Sequence, residues 1–547
     1  MSAVVASSGR STTTFRCATV GRLSPDTDKT GLLEHHDPAR PLLKDRAEVA
    51  MAVTVSAAAL HGVDAIPIEI EVDLLRRLPS VCIVGLAAGA VKEAAERVRS
   101  AISSSALPFP RKRIVVNLAP AHIRKEGTGF DLPIALGILA ADGAIPLSVL
   151  DGVLPVGELS LGGRVRAIRG ALSFADLARH SGKTLMVPKA CAAQAAIVPD
   201  VDVVGVDSLD QAVAWLRGEW TPLPISPVPR AAPSDGPDLR EVRGQERARR
   251  ALEIAAAGAH HVLLEGPPGC GKSMLAQRLP SILPPLLGAE ALETTRVHSA
   301  AGLYDSAAVV AQRPFRAPHH SITVAGLIGD RTLRPGEISL AHNGVLFLDE
   351  APEFPRSVLE VLRQPLEDGV VRVTRAAGSV IWPAAITLIL AANPCPCGMR
   401  GSARPCGCTD TAVERYRRRL SGPVLDRIDL HIELEPVTPR DLIEGPEGEP
   451  SDRVRARVCA ARERQHQRGQ QAPNGRIAAA SLLEHARLHP GARAAIVDGA
   501  TRRNLSGRAS TRLIRVARTI ADLAAAPDIC PEHVHEAFGL RVTSSEL

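Results

Sequence analysis

Residues 266–273 read GPPGCGKS and have the residue types and spacing of a phosphate cradle, G-x-x-x-x-G-K-[ST]. Gly266, Gly269 and Gly271 let backbone N–H groups converge on phosphate oxygens, with Pro267, Pro268 and Cys270 completing the turn. Lys272 reaches the β- and γ-phosphates, and Ser273 offers a hydroxyl to Mg2+. A glycine-rich turn arising by chance would not need the flanks found here, an apolar strand from His261 to Glu265 and a helix starting near Met274. The stretch implies a bound nucleoside triphosphate.

Two further apolar runs end in groups that such a site needs. GVLFLDE (344–350) closes on two carboxylates, too costly for a core unless the charges meet a metal or water. Asp349 would hold Mg2+ through water, and Glu350 would polarise the attacking water. LILAAN (388–393) brings Asn393 to the end of a third strand, where its amide either orients that water or caps the following turn. Next comes CPCGMRGSARPCGC, placing Cys395, Cys397, Cys406 and Cys408 as two C-x-C pairs. Four thiolates could close a tetrahedral, structural Zn2+ site, although the spacing departs from the usual C-x2–4-C knuckle. Reduced thiols or a redox pair are the other readings. In APHH (317–320) adjacent histidines point to different sides, with no carboxylate or Cys at ligand spacing. His319 and His320 are therefore expected on a loop insertion facing a pore or a neighbouring subunit.

The elements that must position these groups are legible as α/β text. A chain of 547 residues is too long for one core and implies about three domains. Residues 1–50 are polar, rich in Ser, Thr and Pro, and lack the apolar core of a secretory signal. They read as disordered or as a mis-assigned start, because the first foldable pattern begins at Met51. Residues 51–218 alternate β-rich runs with Ala-rich helical stretches, an α/β domain. Residues 219–238 are a Pro-rich linker. Residues 239–438 form a second α/β pattern suited to a parallel sheet, and 451–547 are helical, with an Arg-rich stretch at 452–468. The composition, 45% hydrophobic and 23% charged, is that of a soluble globular protein. No run approaches the ~18–20 apolar residues of a membrane span. Ten cysteines in this length do not make a disulfide framework, and a reducing, cytoplasmic location fits. Net charge is +6, mostly from Arg, which favours phosphate partners. Aromatic content of 2% argues against a binder built on stacked bases, so contacts to nucleic acid should be to the backbone.

Together these residues resemble the AAA+ ATPases. RPFRAPHH (313–320), EISLAHNGVLFLDE (337–350), LRQPLED (362–368) and SGPVLDRIDL (421–430) are similar to the Mg-chelatase-related branch, nearest the ComM/YifB proteins. The resemblance implies an AAA+ P-loop parallel-sheet domain with an α-helical C-terminal lid, ATP and Mg2+ as cofactors, and a homo-hexameric ring. It further implies action on single-stranded or branched DNA, as branch migration or helicase activity in recombination or natural transformation. It places Arg427 at the subunit boundary as an arginine finger and Arg508 in the lid as a nucleotide sensor. Arg512, one turn on, competes for that role, and plain solvated surface charge is the alternative for both. The other function carried by the same motifs is an ATPase subunit that drives metal insertion into a porphyrin. A nucleotide-binding scaffold without turnover is opposed by the presence of Glu350 and Arg427.

The front domain resembles the Lon protease proteolytic fold, through VNLAPAHIRKEGTGFDLPIALGILAA (116–141) and VGELSLGGRVRAIRGALSFADLARHSG (156–182). Lon-type chemistry needs a serine activated by a lysine amine. Aligned on Lys125, Glu126 and Gly127, the nucleophile's place holds Gly129, and the places open to the lysine hold Leu172 and Phe174. Thr128 has no amine partner nearby in sequence. The fold is therefore expected to be proteolytically inactive, with Lys125, Glu126 and Asp131 decorating a face that meets a neighbour or DNA. Chelatase motor subunits are expected to lack this front domain, so it should separate the two functions.

Overall fold

The computed structural model describes residues 52–541 apart from short stretches at 86–88, 122–124, 126, 128, 226–235, 287, 304–308, 331–332, 376–377, 403 and 421. Residues 1–50, Glu126, Thr128 and the middle of the 219–238 linker lie outside the described residues.

The front region begins with alternating strands, β1 (Val53–His61) and β2 (Asp64–Leu75), paired antiparallel from Val53↔Val72 to His61↔Asp64. Strand β3 (Ser80–Val84) lies parallel to β4 (Arg113–Ala119), giving the order β1-β2-β4-β3. Helix Asp131–Ala141 is apolar on every side and buried along nearly its whole length, as expected of a helix with no polar face. Beyond it β5 (Val153–Pro155) leads to the short pair β6 (Glu158–Leu159) and β7 (Val165–Arg166). Strands β8 (Thr184–Pro188) and β9 (Val203–Val206) complete a small parallel sheet, β5-β8-β9.

Two expectations for this region are corrected. Asp131 is buried, gripped by Arg97 through Nε at 2.7 Å and Nη2 at 2.9 Å, and accepts the Leu159 N–H at 3.2 Å. Lys125 is also buried and donates to the Pro120 carbonyl. Neither decorates an outer face. A carboxylate this deep persists only if paired, and the pair fastens helix Ala94–Ser104 to helix Asp131–Ala141. Gly129 stands against Val156, and Leu172 and Phe174 are core residues.

The central region is a parallel sheet of β10 (Val262–Glu265), β11 (Phe315–Arg316), β12 (Val345–Leu348), β15 (Thr387–Ala392) and β16 (Leu430–Glu433), in the order β11-β12-β15-β10-β16. A hairpin, β13 (Val370–Arg375) and β14 (Gly378–Pro383), is inserted before β15. VLFL and TLILAA are buried at every position, the mark of a sheet covered on both faces. Leu264, Val345, Phe347 and Ile389 face one core, shared with helices Glu246–Gly258 and Lys272–Ile282; Leu263, Leu346, Leu348 and Leu390 face the other. The front region touches this one through His61 Nε2, which donates to the Ser379 carbonyl at 2.9 Å, and through Arg296, bonded to Asp64 at 2.8 Å.

The C-terminal helices pack on the first of these cores. In helix Gly507–Leu523 the Ser506 hydroxyl accepts the Ala509 N–H, a standard cap, and Leu513, Val516 and Ile520 face Leu252 and its neighbours. The Arg-rich helix Ser451–Gln467 is less available to a partner than its composition suggests. Arg457 pairs with Glu253 and Glu449, Arg464 donates to the Asp522 carbonyl, and Arg462 is turned inward to the Ala256 carbonyl. Just past its end, Arg468 grips Asp522. Arg453 and Arg455 stay exposed.

Asp429 joins lid to sheet. Its Oδ1 accepts from Arg512 at 2.9 Å, and its Oδ2 takes the His261 N–H at 3.1 Å and faces His260 at 3.3 Å. Burial alone would raise this carboxyl, but the His260 hydrogen bond and the His260 and Arg512 charges overcome it and hold the group well below the usual carboxylate range. His261 is buried with Nδ1 accepting the Leu388 N–H at 3.1 Å, so its ring must be neutral, and burial pushes its pKa down to about 3. The unfolded chain takes up a proton here below about pH 6.5 that the folded state refuses. The stability held by this residue is therefore intact above pH 6.5 and falls as pH drops, by about 2 kcal/mol at pH 5. Melting curves from pH 7 to 5 should flatten in His261→Asn, which keeps an acceptor for Leu388; an unchanged slope would contradict this assignment.

Candidate functional site

Sheet register brings the chemistry to one edge. Glu265 pairs with Ala392, and Leu348 with Leu390, so the residues just past β10, β12 and β15 emerge together at the carboxyl ends of parallel strands, where open α/β sheets bind ligands. The Gly266 N–H donates to the Ala392 carbonyl at 3.2 Å. The turn then runs through Gly269 and Gly271 at φ +81° and +92°, a left-handed backbone that glycine adopts without penalty, and helix Lys272–Ile282 begins at once.

Lys272 is buried, and its Nζ donates to the Gly266 carbonyl at 2.6 Å, the Pro267 carbonyl at 3.0 Å and Asn393 Oδ1 at 3.0 Å. Ser273 Oγ donates to Asp349 Oδ2 at 2.6 Å. These are the hard oxygen donors that Mg2+ takes alongside substrate phosphates. Asn393 is thus next to Lys272, and Tyr416 is hydrogen-bonded to the Asn393 backbone; burial pushes the Tyr416 phenol up to about 12. Beside the turn lies a cavity of about 340 Å³ lined by Val242, Met274, Leu275 and Val437, with Gln245 at its edge. Apolar walls and a nearby amide suit a nucleobase. Gln245 fixes this wall by donating to the Cys270 and Glu435 carbonyls at 3.2 and 2.7 Å. A buried cation, a hydroxyl–carboxylate pair and an apolar slot fit a magnesium–nucleoside triphosphate.

Glu350 has φ +51°, an uncommon conformation for a non-glycine residue, while its N–H donates to Asp349 Oδ1 at 3.0 Å. Its side chain is 55% exposed, and His320 Nδ1 lies 3.8 Å from Oε2. Of the two histidines, His319 is exposed and His320 meets this carboxylate. Their rings sit 4.0 Å apart, and His320 also meets Phe354 edge-on. His320 faces the carboxylate of its own chain. The spacing carried no signal for this contact: β11 and β12 are adjacent and parallel, ending at Arg316 and Leu348, and the loops that follow them bring 320 and 350 together.

Arg427 is buried and turned into its own chain, donating to Glu367 and, at 2.5 Å, to the Pro423 carbonyl. Arg512 is committed to Asp429 and to the Arg427 carbonyl at 2.7 Å. Arg508 is exposed on the first turn of its helix. In the cysteine cluster, Sγ of Cys395 is 3.4 Å from Cys397 and 3.6 Å from Cys406, and Cys397 is 3.6 Å from Cys406. Cys408 completes the group, and all four sulfurs lie within 4.8 Å of one another. None is in a disulfide.

Comparison with known proteins agrees with this geometry. The family profile described as magnesium chelatase, subunit ChlI, matches residues 238–442, and that for the ChlI C-terminal region matches 448–541. A profile described as subunit ChlI of Mg-chelatase matches 70–191, so by that description the front region does not separate the chelatase reading from the DNA reading. YifB of Salmonella typhimurium is 42% identical over 90% of this chain and 97% of its own length. Competence protein ComM of Haemophilus influenzae is 41% identical over 90% of this chain and 98% of its own. YifB of Escherichia coli is 41% identical over 90% and 97%. A parallel sheet whose phosphate turn, carboxylate pair and asparagine share one edge, together with relatives this similar along nearly their whole length, means that the chain belongs to the ComM/YifB-like, Mg-chelatase-related AAA+ ATPases.

Proposed function

We propose that this protein is an ATP-hydrolysing ring motor, a homo-hexamer in the cytoplasm, that drives branch migration or strand separation on single-stranded or branched DNA in recombination or natural transformation. The observation that carries the ATPase part is the pair of hydrogen bonds at one sheet edge, Lys272 to Asn393 and Ser273 to Asp349, with the half-exposed Glu350 carboxylate next in sequence to Asp349. Mg2+ held by Ser273 and, through water, by Asp349 would draw charge from the β- and γ-phosphates. Lys272 would exchange its carbonyl partners for phosphate oxygens, and Asn393 would orient the water that Glu350 polarises toward the γ-phosphorus. A guanidinium from a neighbouring copy would complete the charge stabilisation. For Arg427 to supply it, the arginine must release Glu367, an exchange of one carboxylate for a more highly charged phosphate.

The DNA part is supported by a relative named as a competence protein and by the Arg-dominated net charge. With most of the Ser451–Gln467 arginines engaged internally, Arg455 among them through the Ser281 carbonyl, exposed Arg372 on the β13–β14 hairpin joins Arg453 as a candidate phosphate contact. Among the described residues no helix is long and apolar enough to cross a membrane. The second reading, an ATPase subunit serving metal insertion into a porphyrin, is favoured by the descriptions of the family profiles.

Lys272→Ala should abolish nucleotide binding. Glu350→Gln should preserve binding and assembly while lowering turnover by at least ~100-fold, the low end of what a positioned general base contributes; a Gln variant hydrolysing at the parent rate would remove the role given to Glu350. ATP turnover should rise with branched or single-stranded DNA, and the DNA affinity behind that rise should weaken steeply with added salt. Stimulation by a porphyrin but by no DNA structure would replace the DNA reading with the chelatase one.

A further inference from the structure

The four thiols beyond β15 are spaced as a metal site. Zinc held by four thiolates at about 2.3 Å separates the sulfurs by about 3.8 Å, and the observed separations of 3.4, 3.6 and 3.6 Å are close to that edge. A disulfide would need about 2.05 Å. Cys395 is fully buried, while the other three are at least partly accessible. The Arg400 N–H donates to Cys395 Sγ at 3.4 Å, a backbone-to-sulfur bond of the kind that offsets thiolate charge around bound metals, and the Gly398 N–H closes the turn on the Cys395 carbonyl at 2.9 Å. The loop between the two pairs consists of Gly, Met, Arg, Ser, Ala and Pro, too small and polar to build a core, so a cross-link must hold it. Soft thiolates select Zn2+ over the Mg2+ of the nucleotide site.

The position of the loop gives such a metal a purpose. Cys395 follows Asn393 by two residues, and Gly398, at φ +75°, is pressed on the phosphate turn. A Cβ there would lie 2.7 Å from Pro268 Cγ and 3.8 Å from Asn393 Cγ. We propose that Cys395, Cys397, Cys406 and Cys408 bind one structural Zn2+, and that the closed loop, seated through Gly398 on Pro268, holds the phosphate turn and Asn393 in register. The second half rests on the nucleotide reading; the first does not.

Protein purified without chelator should contain about one zinc per chain, in the parent and equally in Lys272→Ala. Replacement by Co2+ should give the thiolate-to-metal charge-transfer and d–d bands of a tetrahedral four-sulfur site. Cys397→Ser and Cys408→Ser should lose the metal, and Cys408→His, which restores a ligand, should regain it. Absence of zinc and of cobalt bands from folded parent protein would overturn the site. Gly398→Ala should keep its zinc while nucleotide affinity falls by about tenfold; zinc retained with parental nucleotide affinity would overturn the link to the phosphate turn. Zinc present in a parent that binds no nucleotide would sustain the metal site and reject the ATPase reading instead.

Discussion

The register of three parallel strands governs this molecule. Because Glu265 lies opposite Ala392, and Leu348 opposite Leu390, the backbone leaves β10, β12 and β15 at one level. The Lys272–Asn393 and Ser273–Asp349 hydrogen bonds then form across elements more than seventy residues apart. A slip of one residue in any of these strands would exchange its two faces, mispacking both cores and moving the groups after the strand out of line with the turn at 266–273. The apolar runs VLLE, VLFL and TLILAA are thus the means by which the charged groups after them are aimed.

A second constraint links the lid to this edge. Arg512 holds both Asp429 and the Arg427 carbonyl, while Asp429 also accepts the His261 N–H just before β10. One buried carboxylate therefore connects the long C-terminal helix, the start of the phosphate strand and the segment carrying Arg427. Movement of the helix cannot leave that segment untouched. On the far side of the sheet the β13–β14 hairpin meets the front region through Ser379 and His61, so both flanking regions contact elements that continue into the nucleotide edge.

What could be read from the sequence follows from where its physics is local. The phosphate turn, the carboxylate pair and the asparagine each sit at the end of a contiguous apolar run, so strand, turn and functional group are written together within ten residues. The cysteine cluster was legible for the same reason. Charged residues whose partners lie far away were not. Asp131 looked solvated because nothing marks Arg97, on another helix, as its partner, and Lys125, although its partner is near in sequence, because a main-chain carbonyl, that of Pro120, leaves no trace in residue types. The arginines of helix Ser451–Gln467 looked like a nucleic-acid surface until Glu253, Glu449 and the Ser281, Ala256 and Asp522 carbonyls accounted for Arg455, Arg457, Arg462 and Arg464. His320 could be matched to Glu350 only through the pairing of β11 with β12. Arg427 carried its family motif, yet nothing nearby announced Glu367 sixty residues upstream as its partner in the single chain.

That pairing bears on the proposed sharing of hydrolysis between copies. In the proposed ring motor an arginine held by its own chain's Glu367 would have to leave it to reach a neighbour's phosphate, so under that proposal turnover should depend on contributions from two copies. The most direct measurement is ATP hydrolysis by rings mixed from Arg427→Ala and Glu350→Gln chains, each inactive alone. A ring containing both can place an intact Arg427, from the Gln copy, against a neighbour that retains Glu350, from the Ala copy, and turnover should reappear at such interfaces. Mixed rings shown to form by native mass spectrometry, with no turnover at any ratio, would contradict a pocket shared between neighbours.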